Sequence, residues 1–327
     1  MGNGMVKAIR IHKTGGPEVL QYEDIEVAAP GPGEIQIRHR AIGVNYIDIY
    51  FRTGMYPAPT PFIPGNEGAG DVIAVGKGCK EFKVGDRVAY AGALGSYCEV
   101  RNIPETAVVK LPKSVSYEVG AGMMLKGLTA QFLLRKTYRV KAGDTILVHA
   151  AAGGVGSILC QWGKALGATV IGTAGSADKA KLAKKFGAKH VILYREEDFP
   201  ARVKEITKGK LCDVVYDGVG KATFPGSLDC LKPFGMFASF GSASGAIDAF
   251  NIGLLAQKGS LFATRPTLFT HLADRASHVK MARELMKVVG DGTVRIPISA
   301  KYSLADAAKA QTALQGRETT GITVLLP

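Results

Sequence analysis

The stretch TILVHAAAGGVGSILCQWGKALG, residues 145–167, decides the fold. It begins with a β-branched apolar run, passes through a glycine-rich turn and continues with apolar residues at helical spacing, until Gly167 predicts a stop. Aligned to the pattern G-x-G-x-x-G, the turn supplies Ala151, Gly153 and Gly156, with alanine in place of the first glycine. Gly153 lets the backbone approach a pyrophosphate, which the N–H groups at the helix N-terminus bind. The stretch therefore predicts a strand–turn–helix unit that binds a dinucleotide.

The same rhythm continues beyond this unit. Apolar, β-branched runs begin at Thr145, Thr169, His190, Cys212, Gly235 and Ser260. Segments of helical character fill most of the gaps between them. Strands that alternate with helices in this way form a parallel sheet covered on both faces. The sequence therefore predicts an α/β domain with a doubly wound parallel sheet.

The chain on either side of this array has a different character. The N-terminal part is rich in Gly and Pro, and short runs such as EIQIRHRAIGV at 34–44 predict strands in an irregular β-barrel or sandwich. After Arg265, a helical segment over 271–289 precedes a helix near Leu304, with Ser303 as N-cap and Gly316 as its end, and then a closing strand. We expect a β-rich domain at 1–127, the dinucleotide-binding domain at 128–268, and a return of 269–327 to the first domain.

The end of the second strand of the array, GTAGSADK at 172–179, indicates which dinucleotide is bound. A site that prefers NADH places Asp or Glu about 20 residues after the glycines, where it binds the ribose 2′-hydroxyl. No acidic residue occupies 174–176, whereas Ser176 offers a hydroxyl and Lys179 a cation, both suited to a 2′-phosphate. The turn predicts NADPH as the cofactor. The alternative is an ordinary Ser N-cap followed by a solvated Lys.

Composition limits the classes of protein that remain. Of the 327 residues, 46% are hydrophobic and 21% are charged, as in soluble globular proteins. No run approaches the ~18 apolar residues of a membrane-spanning helix, and the N-terminus lacks the apolar core of a signal peptide, so we expect a cytoplasmic protein with no membrane partner. Five widely spaced cysteines predict free thiols, and six histidines show no metal-ligand spacing. The net charge of +13 admits anionic partners, although Lys and Arg are dispersed.

Several longer motifs resemble a known family. The segments GNEGAGDVIAVGKGC, VGDRV and AAGGVGSILCQWGKALGATVIGT are similar to those of the medium-chain dehydrogenase/reductases. GGPEVL, AIGVNYIDIYFRTGMYP, LKGLTAQFLLRKTY and FATRPTL resemble the NADPH:quinone oxidoreductases of the zeta-crystallin type. The resemblance covers nearly the whole chain. It implies a GroES-like β domain and a Rossmann domain, NADPH as cofactor, a quinone as hydride acceptor, and a homodimer formed by pairing the sixth strands of two sheets.

The same resemblance bears on the question of a metal. Zinc-dependent alcohol dehydrogenases of this superfamily carry a His in a GHE segment and a Cys earlier in the β domain. The corresponding residues here are Asn66, which precedes Glu67, and Asn45. Because one carboxylate does not make a three-ligand catalytic site, we expect a zinc-independent enzyme. A quinone is already electrophilic, so the protein would contribute mainly by positioning the reactants and excluding water, with the proton supplied by water.

The resemblance also implies which residues contact the cofactor. Asn45, Tyr46 and Asp48 are expected at the nicotinamide end, between the domains, and Thr129 on the helix that links the domains. Tyr46 is the candidate for a hydrogen bond to a quinone oxygen, with a packing role as the alternative; no other catalytic residue is assigned. The remaining contacts are expected from Gly153, Gly154, Val155, Gly156, Ser176, Lys179, Tyr194, Val219, Phe240, Gly241, Ser242, Thr264, Arg265 and Arg317.

Two other functions stay open beside quinone reduction. One is the NADPH-dependent reduction of activated C=C bonds, as in enones or alkenals, and the shape of the substrate pocket decides between them. The other is a non-catalytic role, since some zeta-crystallin relatives are structural lens proteins or bind AU-rich RNA. The sequence contains no basic stripe interleaved with aromatic residues and no RNA-binding motif, which argues against nucleic acid as a partner.

Overall fold

The computed structural model describes residues 4–327, which form two compact units. The first comprises the described residues up to Leu128 together with Phe269–Gly290 and Ile296–Pro327, and the second comprises Thr129–Leu268 and Asp291–Arg295. The short segment Asp291–Arg295 differs from the sequence-based division, which assigns it to the first domain. Two hydrogen bonds between Gln161 and the backbone of Arg295, of 2.8 and 2.9 Å, attach it to the second unit.

The first unit consists mainly of β-strands. Its strands are β1 (Gly4–Arg10), β2 (Gln21–Val27), β3 (Glu34–Gly43), β4 (Glu67–Val75), β5 (Arg87–Ala91), β6 (Val100–Pro104), β7 (Val108–Lys110), β14 (Ile298–Ser303) and β15 (Ile322–Leu326). β1 and β2 form an antiparallel pair, and the other seven form one sheet in the order β14-β15-β3-β4-β5-β7, with β6 paired to β3. In β3, Ile35, Ile37, His39 and Ala41 are buried while the residues between them are not, as the two-residue period of a half-buried strand requires.

Among the described residues, five helices belong wholly or partly to the first unit. They are α1 (Tyr46–Thr53), α2 (Tyr117–Phe132), α8 (Leu268–Leu272), α9 (Arg275–Gly290) and α10 (Ala307–Gln315), with 3₁₀ turns at Pro17–Val19, Glu105–Ala107 and Leu304–Asp306. The helix predicted over 271–289 is thus divided, because Asp274 starts a new helix by accepting the N–H of Ser277 at 2.9 Å. Ser303 precedes a 3₁₀ turn rather than α10 itself, and Gly316 ends α10 as predicted.

The second unit is built on a six-stranded parallel sheet. Its strands are β8 (Thr145–Val148), β9 (Thr169–Ala174), β10 (His190–Leu193), β11 (Cys212–Asp217), β12 (Leu231–Ser239) and β13 (Phe262–Thr264). The first four begin at the predicted residues. β12 begins at Leu231 instead of Gly235, and β13 begins at Phe262 because Ser260, with φ of 53°, is still in the preceding turn.

Helices connect these strands and pack against them. They are α3 (Gly154–Ala165), α4 (Ala177–Lys185), α5 (Phe199–Ile206), α6 (Gly226–Asp229) and α7 (Gly253–Gln257), and a π-helical turn at Leu133–Thr137 follows α2. The strand order β10-β9-β8-β11-β12-β13 confirms the predicted doubly wound α/β fold. The order reverses between β8 and β11, and in such sheets the crevice outside the carboxyl ends of the strands at that point binds the ligand. Within residues 4–327, none of the helices has both the length and the apolar character needed to cross a lipid bilayer.

Candidate functional site

The glycine-rich turn forms the N-terminus of α3. Gly153 is the N-cap residue, and Gly154, Val155 and Gly156 form the first turn. Within residues 4–327 no side chain caps this helix end, so its first N–H groups are available to a ligand. A Cβ on Gly156 would lie 2.3 Å from Ala150 O, so packing requires glycine there. A Cβ on Gly153 would come no closer than 3.2 Å to Ala150 O, and the Gly153 backbone is extended, so approach of a ligand is the better explanation for that glycine.

The three residues expected at the 2′-phosphate and adenine lie around the turn after β9. Ser176 is the N-cap of α4, and its Oγ accepts the N–H of Lys179 at 3.4 Å. The hydroxyl hydrogen of Ser176 can still be donated, because a hydroxyl accepts and donates at once. Tyr194 lies against this turn, since a Cβ on Gly175 would be 2.8 Å from the Tyr194 hydroxyl. The capping role of Ser176 is thus observed, and it leaves a hydroxyl and a lysine at one helix N-terminus.

The loop after β11 is held by a buried aspartate. Asp217 ends this strand, and its Oδ1 accepts the N–H groups of Val219 at 2.8 Å and Gly220 at 3.0 Å. The loop after β12 lies against it, since the Phe240 N–H donates to Asp217 O at 2.8 Å. A Cβ on Gly241 would be 2.5 Å from the backbone of the first loop, so the two loops are in close contact.

The last predicted contacts of the second unit follow β12 and β13. Ser242 lies two residues beyond Phe240, Thr264 is the last residue of β13, and Arg265 donates from Nη1 to Ser239 O at 2.9 Å. The predicted contacts of the second unit, from Gly153 after β8 to Arg265 after β13, lie at or just beyond the carboxyl ends of parallel strands. The structure therefore places them along one edge of the sheet. Thr129 is the exception, buried on α2.

In the first unit, Asn45 and Asp48 are joined at the start of α1. The N–H of Asn45 donates to Asp48 Oδ2 at 2.9 Å. Asp48 is fully buried and also accepts from Tyr97 Oη at 3.0 Å and from Asn66 Nδ2 at 2.8 Å. Burial raises the pKa of the Asp48 carboxyl to about 6, because desolvation outweighs these hydrogen bonds. Asp48 therefore fixes the position of Asn45 from within the protein.

A buried ion pair adjoins Asn45, and one of its members was absent from the predictions. Glu67 Oε1 accepts from Lys126 Nζ at 2.6 Å and from Asn45 Nδ2 at 2.8 Å, and Oε2 accepts the N–H of Leu125 at 2.7 Å. Both Glu67 and Lys126 are buried. The signal was available in the sequence, since Glu118 and Lys126 are the only charged residues of the largely apolar α2, and a lysine on such a helix needs a buried partner. The ammonium ion thus neutralises the carboxylate next to Asn45.

Tyr46 and Arg317 both lie at the C-terminal end of α10 in the first unit. The Tyr46 hydroxyl donates to Leu314 O at 3.0 Å, in the last turn of α10. Its single hydroxyl hydrogen is therefore used within the protein, and a hydrogen bond from Tyr46 to a quinone oxygen would require this bond to break. Arg317 follows the C-cap Gly316 with φ of 59°, a left-handed conformation that costs energy for any residue with a side chain.

Comparison with known proteins places this chain in a family. Residues 31–113 match the model of the alcohol dehydrogenase GroES-like domain, and residues 154–272 match that of the zinc-binding dehydrogenases. The chain is 52% identical to a quinone oxidoreductase of Pseudomonas aeruginosa, over 99% of this chain and 100% of that protein. The chain belongs to the medium-chain dehydrogenase/reductase superfamily. This membership confirms the resemblance seen in the sequence, and this medium-chain reductase is an oxidoreductase.

Two further relatives bear on what the medium-chain reductase does. The structure of Escherichia coli quinone oxidoreductase complexed with NADPH superposes with a TM-score of 0.96 at 49% identity, covering 98% of this chain and 100% of that one. A 2-haloacrylate reductase of a Burkholderia species is 44% identical over 99% of both chains.

The residues of this reductase do not fit the zinc that the name of one family model implies. Within residues 4–327, no group of three or more His, Cys, Asp or Glu side chains could hold a metal ion. At the start of α1, Asn45 and Asn66 offer amides, which are weak ligands. The Asp48 carboxylate there accepts from Asn45 N, Asn66 Nδ2 and Tyr97 Oη. The Glu67 carboxylate is bonded to Lys126, Asn45 and a backbone N–H. The positively charged Lys126 ammonium group already lies beside the Glu67 carboxylate.

Proposed function

We propose that this reductase is a zinc-independent NADPH:quinone oxidoreductase. The observation that carries the proposal is the convergence of an uncapped, glycine-rich helix N-terminus with Ser176 and Lys179 at the carboxyl edge of the parallel sheet. The names of its full-length relatives and the NADPH in the E. coli structure support it. We further propose that the first unit is the catalytic domain and the second the NADPH-binding domain.

In this proposal the second unit holds NADPH through backbone and side chains together. The N–H groups of Gly154, Val155 and Gly156 bind the pyrophosphate, which the positive end of the α3 dipole favours. The 2′-phosphate accepts from the Ser176 hydroxyl and the Lys179 ammonium, and the Tyr194 ring lies on the adenine side. The loops of Val219, Phe240–Ser242 and Thr264–Arg265, with Thr129, surround the rest of the dinucleotide.

Reduction of a quinone requires little acid–base catalysis from the protein. Bound NADPH supplies a hydride, which converts a quinone to the hydroquinone anion, and a proton from water completes the hydroquinone. The residues of the first unit orient the reactants: Asn45 is held by Glu67 and Asp48, while Arg317 is a further cofactor contact. Because the Tyr46 hydroxyl donates to Leu314 O, we propose that Tyr46 packs against the nicotinamide end and does not supply the proton.

The reduction of activated C=C bonds is the second candidate, favoured by the similarity to a 2-haloacrylate reductase. Steady-state rates with 1,4-naphthoquinone, an enone and 2-chloroacrylate, each at saturating NADPH, separate the two. The proposal expects the highest kcat/KM for the quinone. A higher value for either alkene would replace the quinone as substrate class while leaving the cofactor assignment intact.

Binding of the cofactor is tested separately from turnover. Gly153→Ala adds a methyl group that the protein itself nearly accommodates, so we expect normal thermal stability and at least tenfold weaker NADPH binding. Isothermal titration with NADPH measures this without any substrate. Unchanged affinity in Gly153→Ala would show that the turn is not the pyrophosphate site.

We also propose that the reductase is a homodimer in the cytoplasm. β13 is the edge strand of the sheet and, among the described residues, pairs with β12 alone. Phe262 on this strand is 56% exposed, and an unpaired edge strand with an exposed apolar side chain can pair with the same strand of a second copy. Light scattering should give twice the chain mass, and Phe262→Asp should shift it to the monomer. A wild-type monomer would refute the dimer. The five free thiols suit a reducing compartment.

A further inference from the structure

Four buried polar side chains form a continuous chain of hydrogen bonds at the point where the strand order reverses. The Asp217 carboxylate contacts Ser227 Oγ at 2.9 Å, Ser227 Oγ contacts His149 Nε2 at 3.0 Å, and His149 Nδ1 contacts Thr173 Oγ1 at 3.1 Å. All four side chains are buried. They come from the ends of β8, β9 and β11 and from α6. None of the four was among the predicted cofactor contacts.

One arrangement of protons satisfies every bond in this chain. An ionised carboxylate only accepts, so the Ser227 hydroxyl donates to Asp217. The Nε2–H of His149 then donates to Ser227, and Nδ1 accepts from the Thr173 hydroxyl. This requires a neutral imidazole, and burial does lower the pKa of His149. His149 is therefore fixed in one tautomer and one orientation.

Each end of the chain holds a loop that faces the proposed ligand. Thr173 Oγ1 accepts the N–H of Ala150 at 3.3 Å, and Ala150, with φ of 52°, leads into the glycine-rich turn. At the other end, Asp217 accepts the N–H groups of Val219 and Gly220. The two loops follow β8 and β11, which are neighbours in the sheet. The side chain of His149 thus connects the glycine-rich turn to the loop of Val219 through a path of four buried side chains.

We propose that His149 is a positioning residue for the dinucleotide: it sets the separation of the glycine-rich turn and the Val219 loop, so that both reach the same bound cofactor. This inference rests on the proposed NADPH site. His149 is buried and both of its ring nitrogens are bonded to protein side chains, so its removal should weaken cofactor binding while the substrate side of the reaction is unaffected.

Three substitutions at His149 distinguish its hydrogen bond with Thr173 from its hydrogen bond with Ser227. The Asn Oδ1 of His149→Asn can replace Nδ1 and keep the bond from Thr173, whereas the Gln Nε2 of His149→Gln can replace Nε2 and keep the bond to Ser227. His149→Leu keeps neither. We expect at least a tenfold rise in the NADPH dissociation constant and in KM for NADPH in His149→Leu, smaller rises in the other two, and an unchanged kcat and KM for 1,4-naphthoquinone at saturating NADPH.

His39→Leu is the matched control. His39 is equally buried and also bridges two groups, Tyr90 Oη at 2.7 Å and Cys98 O at 2.6 Å, but in the first unit. We expect it to lower the melting temperature and to leave the NADPH dissociation constant unchanged. If His149→Leu behaves like this control, the chain is merely structural and the proposal is overturned.

A second variant covers the case in which His149→Leu does not fold. Thr173→Val removes one hydroxyl at the far end of the chain and retains shape, and the proposal expects the same weakening of NADPH binding. Unchanged affinity in a folded Thr173→Val overturns the proposal. Titration of wild type with NADPH distinguishes failure of the proposed function from failure of this inference. If wild type does not bind NADPH, the proposed function is refuted. If wild type and every folded variant bind it tightly, only the role of His149 is refuted.

Discussion

Two lysine–glutamate ion pairs of this reductase have nearly the same N–O distance, but one is buried and the other is exposed to solvent. Lys126 Nζ lies 2.6 Å from Glu67 Oε1 and Lys301 Nζ lies 2.7 Å from Glu118 Oε1. The side chains of the first pair are 8% and 0% exposed, and those of the second are 50% and 34% exposed. Both pairs include a residue of α2. Replacing each lysine by methionine therefore measures what burial alone adds to an ion pair.

The two substitutions should differ severalfold in their effect on the free energy of unfolding. Lys126→Met leaves the Glu67 carboxylate buried with two neutral donors, Asn45 Nδ2 and the N–H of Leu125, and loss of one partner of a buried pair costs about 3–5 kcal/mol. Lys301→Met removes an exposed pair, which is worth about 0–1 kcal/mol. At roughly 2–4 °C per kcal/mol for a unit of this size, Lys126→Met should lower the melting temperature by about 6–20 °C.

The assay is thermal unfolding followed by circular dichroism, with hydrogen exchange of β4 peptides as the local probe. The double variant Glu67→Gln, Lys126→Met removes both charges, so much of the lost stability should return. Equal melting temperatures for Lys126→Met and Lys301→Met would refute the reasoning, as would a double variant no more stable than Lys126→Met. Either result would mean that the Glu67 carboxylate without Lys126 is no more destabilising than the loss of an exposed ion pair.

Three further predictions follow from single residues. Because the pKa of Asp48 is raised to about 6, its contribution to stability is greatest below pH 4 and is lost as the pH rises through about 6. Urea unfolding should show that the difference in unfolding free energy between wild type and Asp48→Asn changes by about 3 kcal/mol over this range, and a pH-independent difference would contradict it. Gly156→Ala places a methyl group 2.3 Å from Ala150 O and should lose about 1–3 kcal/mol of stability as well as NADPH affinity, unlike Gly153→Ala; a stable Gly156→Ala protein would refute the packing role. Arg317→Gly and Arg317→Ala both remove the guanidinium and should weaken NADPH binding equally, but the glycine variant should be about 1 kcal/mol more stable because residue 317 has a positive φ, and equal stability would argue against strain there.

Much of the second unit could be predicted because its signals are local. A β-branched run marks each strand, and a helix start follows, so four strands begin at the predicted residues. β12 was misplaced because Lys232 and Pro233 interrupt the apolar pattern, although the strand continues through them. The turn at Ser176 was found for the same reason, since its distance from the glycines is fixed by one strand and one helix.

The buried polar pairs could not be predicted in the same way. Lys126 and Glu67 are 59 residues apart, and Asp217 and His149 lie at the ends of strands that become neighbours only after the sheet has formed. A pattern of neighbouring residues does not indicate which residues far apart in the sequence will come into contact. What the sequence does contain is the type of each residue at a strand end or on an apolar helix, so the fold must be known before the partners can be identified.

The central claim is that the carboxyl edge of the parallel sheet binds a dinucleotide with a 2′-phosphate. Isothermal titration of wild type with NADPH and with NADH tests it most directly, with Lys179→Ala beside Lys181→Ala, whose lysine is 80% exposed and pairs with Asp178 on the same helix. We predict that NADPH binds about 10–100 times more tightly than NADH, equivalent to roughly 1.4–2.7 kcal/mol, and that this preference is lost in Lys179→Ala and kept in Lys181→Ala. Equal affinities of wild type for the two cofactors would contradict the account.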